Sequence, residues 1–316
     1  MSLTSMLNNN QTVIKLFSVI PNIKHLFKSL DGKEAFPKYI RPLVKPVPGY
    51  DWTVVGTAYD FWFRAYIQRL NGLFIEHELS SIIESGLLGL EGQIVPLVMT
   101  GKYEEKRIEE IELLKQEVNE IWKTRSDYIN GENIPERELV RGSIILAYCE
   151  HYYRSGKIRD ENYLHVKEED VEDLLNIITY TEKIPHYFTT KKSIILNPIF
   201  KKYSREIGGA DADFIIGNTI FDIKTSKYYD YKENEIWQLI GYYLLSEYDD
   251  DFPVEIKQIA LFYARFNKIV YAKIEDIKQI FNLDLFSQYF RDLIAYKDEK
   301  DILKLDEQEL SDRFRV

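Results

Sequence analysis

Apolar and polar positions along the chain change period near residue 190. Before that point, from Val54, apolar residues recur at helical spacing. The segment GTAYDFWFRAYIQRLNG reads as a helix closed by Asn71-Gly72. EEKRIEEIELLKQEVNEIWKTR (104–125) and ERELVRGSIILAYCEHYYRSG (136–156) repeat the pattern, the second stopping at Gly156. Residues 168–182 predict one more helix. Upstream, residues 1–50 predict irregular or short helical structure ending in the proline-rich YIRPLVKPVPGY.

After residue 190 the pattern turns to strands. SIILNPIF (193–200) reads as a strand interrupted by Pro198. ADADFII and TIFDIKT read as two strands joined by Gly217-Asn218, a two-residue hairpin signal. ENEIWQLIGYYLLSE (233–247) predicts a helix. IKQIALFYARF and KIVYAKI predict a second hairpin around Asn267-Lys268, and the chain from Glu275 reads as helical. This order predicts an α/β or α+β fold with a mixed sheet flanked by helices. The expected layout is an N-terminal arm (1–50), a first core helix (51–74), a helical insertion (75–182), a sheet-bearing core (183–275) and a C-terminal helical segment (276–316).

Counting outward from Gly217-Asn218 sets a register. Ile216 faces Thr219, Ile215 faces Ile220 and Phe214 faces Phe221; extended further, Asp213 faces Asp222 and Asp211 faces Lys224. Side chains alternate across a strand, so the faces separate. One carries Ala212, Phe214, Ile216, Thr219, Phe221 and Ile223, and is expected to pack on helices. The other carries Ile215 and Ile220 near the turn, then Asp211, Asp213, Asp222 and Lys224. Opposed carboxylates repel, so a shared proton, a cation or solvent must offset them. A divalent ion satisfies both acids at once; a hydrated sheet edge is the alternative.

Charge and composition narrow the field. The net charge of −10 argues against long-range attraction to nucleic acid. Yet from Lys183 to Arg205 the chain carries Lys191, Lys192, Lys201 and Lys202 and no acid, immediately before the acid-bearing hairpin. No apolar run approaches the roughly 18 residues needed to cross a bilayer, and the start has no basic segment leading into an apolar one, so neither membrane nor secretion is expected. The one cysteine, Cys149, sits in an apolar run and is expected to be a buried, inert thiol in a reducing cytoplasm. The histidines make no zinc spacing, and no phosphate-binding GxxxxGK[ST] loop occurs.

The combination of Asp213, the short hairpin, Asp222-Ile223-Lys224 and a following helix bearing Gln238 and Tyr242 resembles the PD-(D/E)XK nuclease superfamily, in particular its RecB-like branch. In that branch an aspartate on one strand is followed by D-x-K on the next and by Q-x-x-x-Y on a helix. The likeness rests on residues 208–242 and extends by strand order over 183–275. It implies a restriction-endonuclease-like core with a large helical insertion, and a metal-dependent nuclease. Asp213, Asp222 and the Ile223 carbonyl would hold Mg²⁺ or Mn²⁺, Lys224 would be the catalytic cation, and Gln238 and Tyr242 would complete the site.

RecB-like nucleases carry G-x-x-x-H on their first core helix. Gly56-Thr-Ala-Tyr-Asp60 has that shape with Asp60 in place of the histidine, so Asp60 is a further candidate ligand, beside the ordinary role of a helix acid. Asp211 is the alternative to Asp213, and Glu150 and Glu206 are other candidate acids. Nucleic acid is the expected partner, DNA favoured over RNA, met by Lys191, Lys192, Lys201, Lys202, Arg205 and Lys227. The competing expectation is a catalytically degenerate module that binds nucleic acid or protein. A protein partner on the helical insertion and a homo-oligomer also fit.

Overall fold

The computed structural model describes residues 3–73, 79–296, 302 and 304–316. Contacts divide the chain into two units. The first comprises Met1–Arg41, Lys191–Lys224 and Tyr228–Val316; the second comprises Pro42–Thr190 and Thr225–Lys227.

The first unit is built on a six-stranded mixed sheet. Its strands are β1 (Lys28–Ser29), β2 (Ile194–Leu196), β3 (Phe214–Ile216), β4 (Thr219–Lys224), β5 (Gln258–Tyr263) and β6 (Lys268–Lys273), in the order β1-β6-β5-β4-β3-β2. Only β4 and β5 run parallel. A parallel neighbour needs a crossover, and the helix Glu233–Glu247 supplies it over the span expected from its apolar spacing. That helix packs on β4 and β5.

The hairpin register is as counted: Ile216 pairs with Thr219, Ile215 with Ile220 and Phe214 with Phe221. Gly217 takes φ +60° while Asn218 stays at negative φ, the glycine-first pattern of a type II′ turn. Asn267, at φ +48°, turns the second hairpin. Pro198 ends β2, where Asn197 goes to φ +49°.

One expectation is corrected. It is the acid-bearing face of the hairpin that packs on helices. Ile215, Ile220, Ile259, Leu261 and Val270 share one buried core with Leu239, Ile240 and Tyr242 of the crossover helix. That core also takes Leu3, Leu7, Val13, Leu16 and Phe17 from the helices Leu3–Asn9 and Gln11–Ser18, and Phe286 and Phe290 from Leu283–Tyr296. On the opposite face Phe214 and Phe221 stack at 4.5 Å between ring centroids, and both are buried. With both faces covered, Asp222 sits in a central strand at 5% exposure.

The second unit is helical: α1 (Trp52–Asn71), α2 (Leu79–Met99), α3 (Lys106–Ile129), α4 (Glu136–Ser155) and α5 (Glu168–Thr181). α1 starts where the Asp51 carboxylate accepts from the Thr53 and Val54 N–H groups and ends at Gly72, φ +60°. It packs on α3, α4 and α5, and α2 packs on α3 and α4. Cys149 is buried as expected, and burial pushes its thiol up to about 12.

A second correction concerns α2. Its stretch Ser81–Met99 is long and apolar enough to cross a membrane by length and composition, contrary to the expectation that no segment would be. Scanning for unbroken apolar runs misses it because Glu84 and Glu91 interrupt the run; Glu91 pairs with Lys115 of α3 at 2.9 Å.

Candidate active site

β4 places Asp222 and Lys224 on one face of the sheet, two residues apart. Lys224 Nζ lies 2.6 Å from Asp222 Oδ2, with the two side chains 18% and 7% exposed. The contact is an ion pair rather than an aligned hydrogen bond, since Asp222 Oδ2 makes none. A lone buried carboxylate costs several kcal/mol; the ammonium beside it offsets that. Burial alone would lower the Lys224 pKa, but Asp222, then Glu235 and Asp213, outweigh it and hold the ammonium above its usual value. Lys224 is therefore a fixed cation at neutral pH.

Asp213 enters differently from the counted register. The ladder stops at Phe214, and the Asp213 side chain accepts the Ile223 N–H in place of a strand carbonyl. The Asp213 backbone carbonyl accepts from Asn197 N–H at 3.0 Å. Ile223 thus joins the cluster through its N–H. Asp211 does not continue the ladder to Lys224; it bridges to Ile199 across the sheet edge. The reason is physical: a short carboxylate that caps a strand N–H ends regular pairing there.

The crossover helix adds Gln238 and Tyr242, one turn apart. Gln238 Nε2 donates to the Tyr242 hydroxyl at 2.7 Å. A glutamine in this otherwise apolar run needs a polar partner, and the tyrosine supplies it. Burial pushes the Tyr242 hydroxyl well above its usual range, and the charges of Asp222, Asp213 and Asp211 add to the push.

Glu235 was missed. It lies on the same helix face, three residues before Gln238, and its charge acts on Lys224. It also pairs with Lys232 at 3.0 Å. Tyr263, opposite Lys224 on β5, sits 3.5 Å from Glu235 and donates to the Asp230 carbonyl at 2.7 Å. The spacing Glu235, Gln238, Tyr242 was the available signal.

The remaining candidates fall elsewhere. Asp60 belongs to the second unit, where Arg64 Nε donates to it at 3.0 Å. Burial raises the Asp60 pKa, Arg64 opposes that, and Glu150 adds to it. Glu150 is buried and accepts from Arg154 Nε at 2.6 Å. Lys191, Lys192 and Lys227 are exposed, as is Glu206. Lys201, Lys202 and Arg205 sit on the helix Lys201–Glu206, and their side chains lie outside the described residues.

Among the described residues no group of three or more His, Cys, Asp or Glu side chains is arranged to hold a metal ion. Asp213 and Asp222 still fit a hard cation. Mg²⁺ is commonly held by one or two carboxylates, with water and substrate phosphate filling the other positions. Asp222 Oδ2 is buried and makes no hydrogen bond, and a metal ion there would take the place that Lys224 Nζ holds at 2.6 Å. Four carboxylates against Lys224 and Lys232 leave the cluster formally negative.

No family model, no curated protein and no solved structure matches this chain.

Proposed function

We propose that the protein is a metal-dependent nuclease that hydrolyses phosphodiester bonds, with DNA favoured over RNA. The observation that carries this reading is the buried Asp222–Lys224 pair, with Asp213 and the Gln238–Tyr242 couple around it, on a mixed sheet crossed by one helix. The resemblance to RecB-like PD-(D/E)XK nucleases points the same way.

Asp213 and Asp222 are the residues that would hold Mg²⁺ or Mn²⁺. When bound, such an ion supplies a Lewis acid for the phosphodiester and makes water a better nucleophile. Lys224, kept protonated by its acidic neighbours, donates to the phosphate oxygen as negative charge builds there. Glu235 and Asp222 position that ammonium. Gln238 fixes the Tyr242 hydroxyl, on which the charges of Asp222 and Asp213 act. Exposed Lys191 and Lys192 provide phosphate-backbone contacts that carry no sequence information.

A degenerate module that binds nucleic acid without cutting it is the second reading. The close Lys224–Asp222 contact favours it, because the ammonium already neutralises the buried acid. Incubation with single- and double-stranded DNA and RNA, in Mg²⁺, Mn²⁺ or EDTA, separates the two. Cleavage in metal and none in EDTA supports the nuclease; binding of nucleic acid without cleavage under every condition supports the module.

A further inference from the structure

The second unit contains a cavity of about 670 Å³ bordered by the ends of four helices. The last turns of α1 and α3 bring Arg69, Leu70 and Tyr128 to it, Glu182 follows α5, and Glu136 opens α4. Three of these ends are C-termini, whose partial negative charge favours cations; the N-terminus of α4 opposes them. The volume lies in the range of small-molecule sites.

Glu132, Glu136 and Glu182 line the cavity. All three are exposed, and none forms an ion pair among the described residues. Desolvation raises the pKa of Glu136 and of Glu182, and Glu136 raises Glu182 further against the pull of Arg69. Arg69 is itself engaged. It covers the Tyr128 ring at 4.5 Å and donates to the carbonyls of Tyr128, Gly131 and Glu132. Three carboxylates against one guanidinium leave the lining at a formal charge of −2.

Acids alone would be a hydrated surface, but two tyrosines add a separate demand. Tyr66 and Tyr128 are only 7% and 8% exposed, and both line the cavity. A buried tyrosine hydroxyl normally finds a partner. Among the described residues neither of these makes a hydrogen bond. Neither oxygen is sealed inside the protein, so each can accept a donor from the cavity. Burial and then Glu182 push the Tyr66 hydroxyl up to about 12, and the same two raise that of Tyr128.

A matching ligand carries positive charge, donates hydrogen bonds and lays carbon against Leu70, Ile134 and Leu139 of the wall. Among the described residues no three acids are arranged to hold a metal ion, so a compact cation does not bridge these carboxylates. Two ammonium groups separated by methylenes span them, and their charge balances the lining. We propose that this cavity binds a linear aliphatic diamine, its ammonium groups shared among Glu136, Glu182 and the hydroxyls of Tyr66 and Tyr128. The site is independent of the nuclease reading, since none of its residues belongs to the sheet-bearing unit.

Calorimetric titration of the full chain with 1,4-diaminobutane, butylamine and Mg²⁺ at fixed ionic strength tests this. The diamine is expected to bind at least tenfold tighter than either of the others. Glu136→Gln with Glu182→Gln should lower its affinity tenfold or more. Tyr66→Phe keeps the ring, should lower the affinity at least threefold, and carries the test if the double variant fails to fold. Asp250→Asn with Asp251→Asn removes two exposed charges from the sheet-bearing unit and should change nothing. No diamine binding at millimolar concentration, equal binding of butylamine or Mg²⁺, or wild-type affinity in the cavity variants overturns the proposal. An equal loss in the Asp250 and Asp251 variant also overturns it, as general charge attraction.

Discussion

Lys224 Nζ stands 2.6 Å from Asp222 Oδ2, on one face of a central strand and two residues along it. The two partners are not equivalent. Without Asp222, Lys224 still has Glu235 and Asp213 to balance it. Without Lys224, Asp222 is a buried acid with no hydrogen bond at Oδ2. Lys224→Met is therefore expected to lose about 3 kcal/mol in urea unfolding, and Asp222→Asn about 1 kcal/mol. Added Mg²⁺ should restore more stability to Lys224→Met than to Asp222→Asn, read as a shift in Tm.

Asp213 has a structural task that can be separated from its proposed chemistry. Its side chain holds the Ile223 N–H. Asp213→Ala leaves that donor unmet and should cost about 1–3 kcal/mol. Asp213→Asn keeps an acceptor oxygen and should cost less than 1 kcal/mol by the same reasoning. Both should lose metal-dependent cleavage, so stability and activity should part company in the asparagine variant.

Gly86 tests the helical unit. A Cβ there would lie 2.9 Å from the Cys149 carbonyl oxygen of α4, a backbone atom that cannot turn aside. Alanine gains roughly 1 kcal/mol of helix propensity over glycine, but overpacking costs about 1–3 kcal/mol. Gly86→Ala is expected to be net destabilising by about 1 kcal/mol in chemical denaturation.

Asp31 gives a pH signature. It follows the edge strand β1 and pairs with Lys268 at the start of β6, while Ser29 Oγ donates to it at 2.6 Å. Burial pushes its pKa up, but Lys268, Ser29 and the Lys33 N–H outweigh that and lower it from 3.8 to about 2. A depressed folded pKa adds stability above the unfolded value, and that stability is lost as pH falls from about 4 through about 2. At this partly open site the contribution is about 1 kcal/mol. Asp31→Asn should be less stable than wild type at pH 7, and the difference should vanish near pH 2.

Much of the sheet was legible because its signals are local. The Gly217-Asn218 turn specifies the register of Ile215, Ile220, Phe214 and Phe221, and the apolar spacing of 233–247 marks the crossover helix to its ends. The site was legible only in part. Asp222 and Lys224 share a face by strand alternation alone. By contrast, Asp213 bonds a backbone N–H and Asp211 bridges to Ile199, and both depend on where β2 ends.

Which face of the hairpin meets the helix also had no local signal. Ile215 and Ile220 were apolar enough to join the core despite the acids beside them. Glu235 went unread because its link to Lys224 exists only once the helix crosses β4. Arg125 was invisible for a similar reason. In the sequence it sits in a charged helix, and only the fold buries it, with Nη1 donating to the Phe61 carbonyl.

The central claim is that Asp222 and Lys224 form the working pair of a metal-dependent nuclease. The direct measurement is cleavage of end-labelled DNA by wild type, Asp222→Asn and Lys224→Met in Mn²⁺, each first shown to be folded by circular dichroism. The account predicts cleavage by wild type that stops in EDTA, and at least a hundredfold less by either variant. Wild-type rates in both variants, or cleavage that persists in EDTA, would contradict it.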